Sequence, residues 1–248
     1  MFEDCTSNVG GSCLFYEINI KNRKRVIIVD VLEFSCRIPD CGGYDVIVVG
    51  AGVAGIAAAV SAARLGRKVL LVEKAVVPGG LATSGLINFF VGMDNGHGMQ
   101  VMCGMVEEFL RLSIRYGYDD IHEEWRQGEP GPSCRSSYCT HFSPQIFALA
   151  LTDLLVKEKV DFFYDCLATW PVMEGKHCRG VILESKSGQE FYRAKMVIDT
   201  TGDADLLFRA GVPTAAGKNY FTYSGFAISL ESCRKAVETG NIQTALFR

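Results

Sequence analysis

The sequence predicts an α/β fold with a parallel central sheet, and three observations predict it. Residues 45–49, DVIVV, form an unbroken Val/Ile run after an aspartate, the pattern of a strand buried on both faces. An alanine-rich segment of helical length, residues 53–65, follows and is closed by Gly66, and a second apolar strand is predicted at residues 68–73. A later block, KMVIDTTGDADLLFRAGVP at residues 195–213, has the order strand, glycine turn, short helix.

From the N-terminus, residues 1–43 read as an extension, in which VIIVDVLEF followed by CRIPDCGG predicts an added strand or hairpin leading into the domain. The chain is 48% hydrophobic and 21% charged with a net charge of -3, an ordinary globular balance without the basic surplus that binding a phosphate backbone needs. Nucleic acid is therefore not expected as a partner. The first residues, MFEDCTSNVGGSC, lack the basic-then-apolar order of a secretory signal, so the setting reads as cytoplasmic. The ten cysteines are then expected to be mostly reduced thiols. None forms a Cys-x-x-Cys pair. Cys36/Cys41 and Cys134/Cys139 share a spacing open to a metal, a cluster or a disulfide, but scattered thiols is the preferred reading and no metal site is assigned. Residues 46–63 approach membrane-span length, yet alanine and glycine dominate them where a span needs about 20 strongly apolar residues, so no membrane partner is expected.

The predicted strand, helix and second strand make a βαβ unit, and Gly50, Gly52 and Gly55 set GxGxxG spacing at its first turn. The first glycine permits the tight turn, the second the close approach of backbone to a pyrophosphate, and the third the close packing of helix on strand. The amides at the helix start, around Val53 and Ala54, would face the phosphates. Glu73 follows Gly50 by 23 residues at the tip of the second strand, where a carboxylate accepts hydrogen bonds from ribose hydroxyls and disfavours a 2′-phosphate. This fingerprint predicts dinucleotide binding but does not choose between FAD and NAD.

After Glu73 and Lys74 comes the run Pro78, Gly79, Gly80, Leu81, Ala82, Thr83, Ser84, Gly85, too glycine-rich and polar for a simple αβ connection. Here the chain resembles the FAD-dependent oxidoreductases of the class with two dinucleotide-binding domains, specifically the family with a GG-x-ATSG run after the ribose acid. The resemblance implies a Rossmann-like FAD-binding domain, FAD as cofactor, and Gly79 to Thr83 along the flavin phosphates and ribityl chain. The second block matches the family's D-x-TGDAD run at Asp199, Thr200, Thr201, Gly202, Asp203 and Ala204. There the chain is implied to return to the flavin, although the pattern alone reads Asp203 as the N-cap of a short helix ending before Gly211.

Between the blocks, Ser143 and Pro144 are read as N-cap and first residue of a helix running to about Lys159, and residues 160–164 as the next parallel strand. Residues 167–172, 179–185 and 190–199 alternate around turn signals, predicting a three-stranded antiparallel meander beside the main sheet. The resemblance implies that Leu167 or Ala168 meets the adenine through its backbone. Residues 99–117 have helical periodicity, and the polar stretch EEWRQGEPGPSCRSSYCTH is expected to be an exposed loop or cap over the active site. His97, His122, His141 and Arg135 are candidates for proton transfer or substrate anchoring, with a surface role the commoner fate of each.

These readings assign residues 44–85 and 141–215 to the FAD-binding domain, and 86–140 with 216–248 to a partial substrate or cap domain, with a strand at FTYSGFAISL and a helix at 231–238. The expected function is hydride transfer between a small organic substrate and flavin, with no dithiol following the Gly-Gly loop to support disulfide exchange. A homo-oligomer or a redox partner protein is compatible with it. The resemblance covers about residues 44–230 and implies further sequence after Arg248, so a non-catalytic dinucleotide-binding fragment is the alternative, and an NAD-dependent dehydrogenase a third.

Overall fold

The computed structural model describes residues 12–20, 23–31, 35–116, 119–215 and 229–241. The chain divides into two compact units, Met1–Asp40 and Cys41–Arg248. In the first, β1 (Ser12–Ile20) and β2 (Arg23–Val31) form an antiparallel hairpin registered from Ser12↔Val31 to Ile20↔Arg23. β2 holds residues 26–31 of the strand expected at VIIVDVLEF, and its partner β1 comes from residues that carried no expectation.

The second unit runs β3 (Asp40–Val49), α1 (Val53–Arg64), β4 (Val69–Val72), β5 (Phe89–Phe90), α2 (Met105–Ser113), β6 (Thr140–His141), α3 (Pro144–Lys157), β7 (Asp161–Phe163), β8 (Leu167–Glu174), β9 (His177–Ser185), β10 (Gly188–Asp199), α4 (Asp205–Arg209) and α5 (Leu230–Thr239). Six strands form one sheet in the order β7-β4-β3-β10-β9-β8, with β3, β4 and β7 parallel and β8, β9 and β10 an antiparallel meander. The meander is not a separate layer. Its last strand lies against β3, so it is hydrogen-bonded into the main sheet.

The unbroken apolar runs follow from burial on both faces. Val48, Val69 and Leu71 pack with Ile56, Ala59 and Val60 of α1 and with Phe147, Leu151 and Leu155 of α3. Ile47, Val49, Leu70 and Val72, one residue out of phase, pack on the other face with Val181, Leu183 and Tyr192 of the meander. Ser143 caps α3 with Pro144 in the first turn, and Gly66 at φ +72 follows the end of α1.

Three expectations are corrected. The helix expected over residues 99–117 begins only at Met105, because the amides of Val101 and Met102 both donate to the Met93 carbonyl and Gly104 turns at φ +73. The polar stretch after residue 122 is not simply exposed. Trp125 stacks on Tyr138 with ring centroids 5.0 Å apart, and both pack with Met93, Leu110, Ile121 and Cys134 in a third apolar cluster. Asp203 does not cap α4, whose N-cap position is Ala204 in a left-handed conformation without a side-chain cap. The strand expected at FTYSGFAISL lies outside the described residues over 216–228, whereas the helix after it is present as α5.

Candidate functional site

A cleft of about 550 Å³ lies at the carboxyl ends of β3 and β4, where the chain leaves the strands in two glycine-rich turns. Gly50 takes φ +99, and a Cβ there would stand 2.6 Å from the Thr200 carbonyl oxygen, so only glycine lets the chain turn beneath the segment after β10. A Cβ at Gly55 would collide with the Gly50 carbonyl and stand 2.6 Å from Thr200 Oγ1. Gly52 is the opposite case. Its φ is -65, and a Cβ there would meet nothing within 4 Å, because the space beyond it is the cleft.

No side chain caps α1 and no acidic residue occupies its first turn, so the helix start at Val53 and Ala54 opens on the cleft with no carboxylate of its own. The second turn lies beside the first: Gly79 N donates to Ala51 O at 2.7 Å, and a Cβ at Gly80 would stand 3.1 Å from Gly52 Cα. Two stretches of bare backbone therefore meet at the floor. Thr83 faces inward, its hydroxyl donating to Pro78 O at 2.6 Å, and so closes the turn that carries Leu81 and Ala82.

Glu73 stands at the end of β4, buried. Its Oε2 accepts from Ala51 N at 2.6 Å and its Oε1 from Ala75 N at 2.8 Å. Among the described residues it enters no ion pair, and each carboxylate oxygen keeps a lone pair for a further donor. Cys166, Leu167 and Ala168 form the facing wall, where Arg209 Nη1 donates to Ala168 O at 3.2 Å. Burial first, then the nearby carboxylates of Glu190, Asp165 and Glu184, push the Cys166 thiol up to about 11, so it is protonated at neutral pH.

The last wall is the segment after β10. The Asp199 carboxylate accepts from the amides of Thr201, Leu206 and Leu207 at 3.0, 2.9 and 3.0 Å and takes the capping role expected of Asp203. Burial works to raise its carboxyl, but these amides and the Thr201 hydroxyl outweigh burial and hold it below the usual carboxylate value.

Of the residues assigned from sequence, Gly50, Gly52, Val53, Ala54, Glu73, Lys74, Gly79, Gly80, Leu81, Ala82, Ala168, Thr201 and Gly202 line the cleft. Gly55 and Thr83 are buried but absent from its lining, and Asp203 is exposed and outside it. Ser84, Gly85 and Asp205 also line it and were not assigned. The two aspartates of the GDAD run were the available signal for Asp205, but pattern alone does not say which turns inward.

His97, His122, Arg135 and His141 do not line the cleft. His97 is exposed in a turn where Asn95 Oδ1 accepts from its amide. His122 is exposed beside Glu124, and the Arg135 guanidinium donates to the carbonyls of Pro132 and Cys134. His141 is partly buried against Asp120, with Nδ1 and Oδ2 2.7 Å apart. Among the described residues no group of three or more His, Cys, Asp or Glu side chains is placed to hold a metal ion, and no helix is long and apolar enough to cross a membrane.

A family model described as FAD dependent oxidoreductase matches residues 45–225. Thioredoxin reductases of Ureaplasma parvum and Bacillus subtilis are 35% and 32% identical to the chain over 80 residues, which is 32% of this chain and 26% and 25% of theirs. The match thus spans about a quarter of the length of these curated relatives. Among solved structures, L-proline dehydrogenase from P. horikoshii shares the fold with a TM-score of 0.51 at 15% identity, over 72% of this chain and 58% of that one. A geranylgeranyl bacteriochlorophyll reductase-like protein from Thermoplasma acidophilum does so with a TM-score of 0.50 at 23% identity, over 70% and 44%. The family match runs from the first strand of the βαβ unit past the returning segment, the two pieces of chain that enclose the cleft, and the chain belongs to the FAD dependent oxidoreductases.

Proposed function

We propose that the chain holds FAD in this cleft and serves hydride transfer between the flavin and a small organic substrate. The observation that carries the reading is the meeting of two bare-backbone turns, joined by Gly79 N donating to Ala51 O, beside a cleft-lining carboxylate, Glu73, that accepts from Ala51 of the first turn and from its neighbour Ala75. That donor set suits an adenosine diphosphate. Amides at Gly52, Val53 and Ala54 would take the pyrophosphate at the positive end of α1, and Glu73 the ribose hydroxyls, with Lys74 beside it. Ala168 would meet the adenine through its backbone. Gly79, Gly80, Leu81 and Ala82, with Thr201 and Gly202 opposite, would flank the rest of the dinucleotide. Gly55 and Thr83 support these walls from behind, and Asp205 replaces Asp203 at the lip.

Bound there, the isoalloxazine supplies the two-electron chemistry, and the protein supplies orientation and exclusion of water. Disulfide exchange, the activity in the names of the two curated relatives, finds no support in this sequence. It has no Cys-x-x-Cys pair, and among the described residues the one cysteine in the cleft wall, Cys166, is a protonated thiol. Residues 44–85 and 141–215 form the FAD-binding domain in this reading, and residues 86–140 with 216–248 contribute to the substrate side. A cytoplasmic setting, and either self-association or a redox partner protein as electron acceptor, belong to the same proposal.

Reconstitution tests this reading. FAD added to flavin-free protein should bind and quench its own fluorescence, and anaerobic addition of a panel of small alcohols, amines and amino acids should bleach the flavin band with at least one member. Protein that takes up NAD but no FAD would replace this reading with the dehydrogenase one.

A further inference from the structure

We propose that the chain carries a second ligand site, a basic groove at the amino ends of β3 and β4 that takes a nucleoside polyphosphate. The proposal does not depend on the FAD reading, because the groove lies at the opposite end of these strands from the flavin cleft.

The groove has a volume of about 770 Å³ and lies wholly within the unit Cys41–Arg248. Small-molecule sites span about 300–1,000 Å³, so a nucleotide fits. Its concavity comes from side chains that lie flat on glycines. A Cβ at Gly180 would collide with the Tyr192 carbonyl and stand 2.8 Å from Phe191 Cε2, and a Cβ at Gly43 would stand 3.3 Å from Arg193 Cβ. Arg193 pairs with Gly180 in the β9–β10 ladder and Phe191 with Ile182, so Phe191 and Arg193 stand on one face of the sheet. Tyr192 between them packs into the apolar cluster on the other face.

Charge says what the groove takes. The whole chain has a net charge of -3, yet Lys68, Arg179, Arg193 and Lys195 all line this groove, against Asp45 as the single acid of its lining among the described residues. Lys195 neutralises Asp45, its Nζ lying 2.6 Å from Oδ1, while Oδ2 accepts from Lys68 N at 2.9 Å. The Lys68 ammonium is held by neutral partners and keeps its charge for a ligand: it donates to Gly43 O at 3.1 Å and sits 4.4 Å from the centre of the Tyr44 ring. Arg179 pairs with Glu174 at 3.1 Å, but both side chains are mostly exposed, and such a pair contributes little, so a phosphate can replace the carboxylate. Cations grouped along a groove focus the field and favour a ligand with several negative charges, and guanidinium matches phosphate oxygens in shape. Phe191 on the floor offers an aromatic face to a base. Asp45 and Gly50 are five residues apart along β3 and its exit, about 17 Å of strand, so a ligand here is an effector and takes no part in hydride transfer.

Calorimetric titration with ATP and with pyrophosphate tests the site. It is run on the wild-type chain saturated with FAD and on Gly52→Val, so that the flavin cleft is closed to ATP in both. One equivalent of ATP should bind in each, more weakly as salt is raised and more tightly than pyrophosphate. Arg179→Gln and Arg193→Gln should each weaken ATP binding about tenfold, the worth of one charged hydrogen bond. Phe191→Leu should weaken ATP about fivefold and leave pyrophosphate unchanged. Arg179 stands exposed with Glu174 as its ion-pair partner, so its variant reads binding without disturbing the fold. ATP that binds only to flavin-free wild-type protein occupies the other cleft and overturns the proposal. No binding at millimolar ATP, pyrophosphate bound as tightly as ATP, or an affinity indifferent to both arginines overturns it too. Wild-type protein that takes up no FAD fails the flavoprotein reading instead, and the Gly52→Val titration still decides this one.

Discussion

The Glu73 carboxylate accepts from two cleft-lining amides, Ala51 of the first glycine turn and Ala75 just after β4, and both bonds are charge-assisted. Glu73→Ala removes this link along with the ribose acceptor. Hydrogen bonds to charged groups contribute about 1.5–3 kcal/mol, which corresponds to roughly tenfold to a hundredfold weaker FAD binding, read by fluorescence titration. An unchanged Kd would exclude the assigned role. Asp199 gives a pH prediction. Its folded value is depressed, so its contribution to stability is full above the usual carboxylate titration and is lost as pH falls through the folded value. Asp199→Ala should lower stability at pH 7 by about 1 kcal/mol, the usual worth of a helix cap, and the deficit should shrink at a pH of about 3. Denaturant midpoints at the two pH values check it. A deficit that stays constant between them contradicts the account.

At the scale of elements, the close crossing of α1 over the end of β3 depends on Gly55, whose absent Cβ leaves room for the Gly50 carbonyl and the Thr200 hydroxyl. Thr200 in turn donates to Val49 O at 2.7 Å and Gly50 O at 2.8 Å, so three segments meet at this point. Gly55→Ala is expected to cost about 1–3 kcal/mol of overpacking and to lower the thermal midpoint, and unchanged unfolding would show that the helix can move aside. This unit was legible from sequence because its information is local: an apolar run, glycines at fixed spacing, an alanine face and an acid at the second strand tip. Where long-range contacts decide, pattern failed. The start of α2 is set by the Met93 carbonyl, which takes two amides from residues 101 and 102, and periodicity carries no trace of that bond. Asp203 and Asp199 compete for one cap, and the winner is the residue at the end of β10 whose side chain lies under the turn.

For the whole molecule, the sheet alternation that sends Val48 to one side and Ile47 and Val49 to the other explains why the strand is apolar throughout, and why the fold class could be read at once. The third apolar cluster could not be read in the same way. Trp125 and Tyr138 stack across a polar, proline-containing stretch whose composition resembles a surface loop, and only the folded chain brings them together. The candidate site was legible in its backbone parts and less so in its side chains: the glycine turns and Glu73 line the cleft as expected, whereas Asp205 lines it unassigned and none of His97, His122, Arg135 and His141 does. Gly52 separates fold from function most sharply. A side chain there meets nothing in the protein within 4 Å of its Cβ and would occupy the space between the two turns. The direct measurement is therefore FAD titration of the wild-type chain beside Gly52→Val, with thermal unfolding of both. The account predicts tight FAD binding in the first, none in the second, and the same unfolding midpoint for the two flavin-free proteins. Equal FAD affinity in both, or no FAD binding in either, would contradict it.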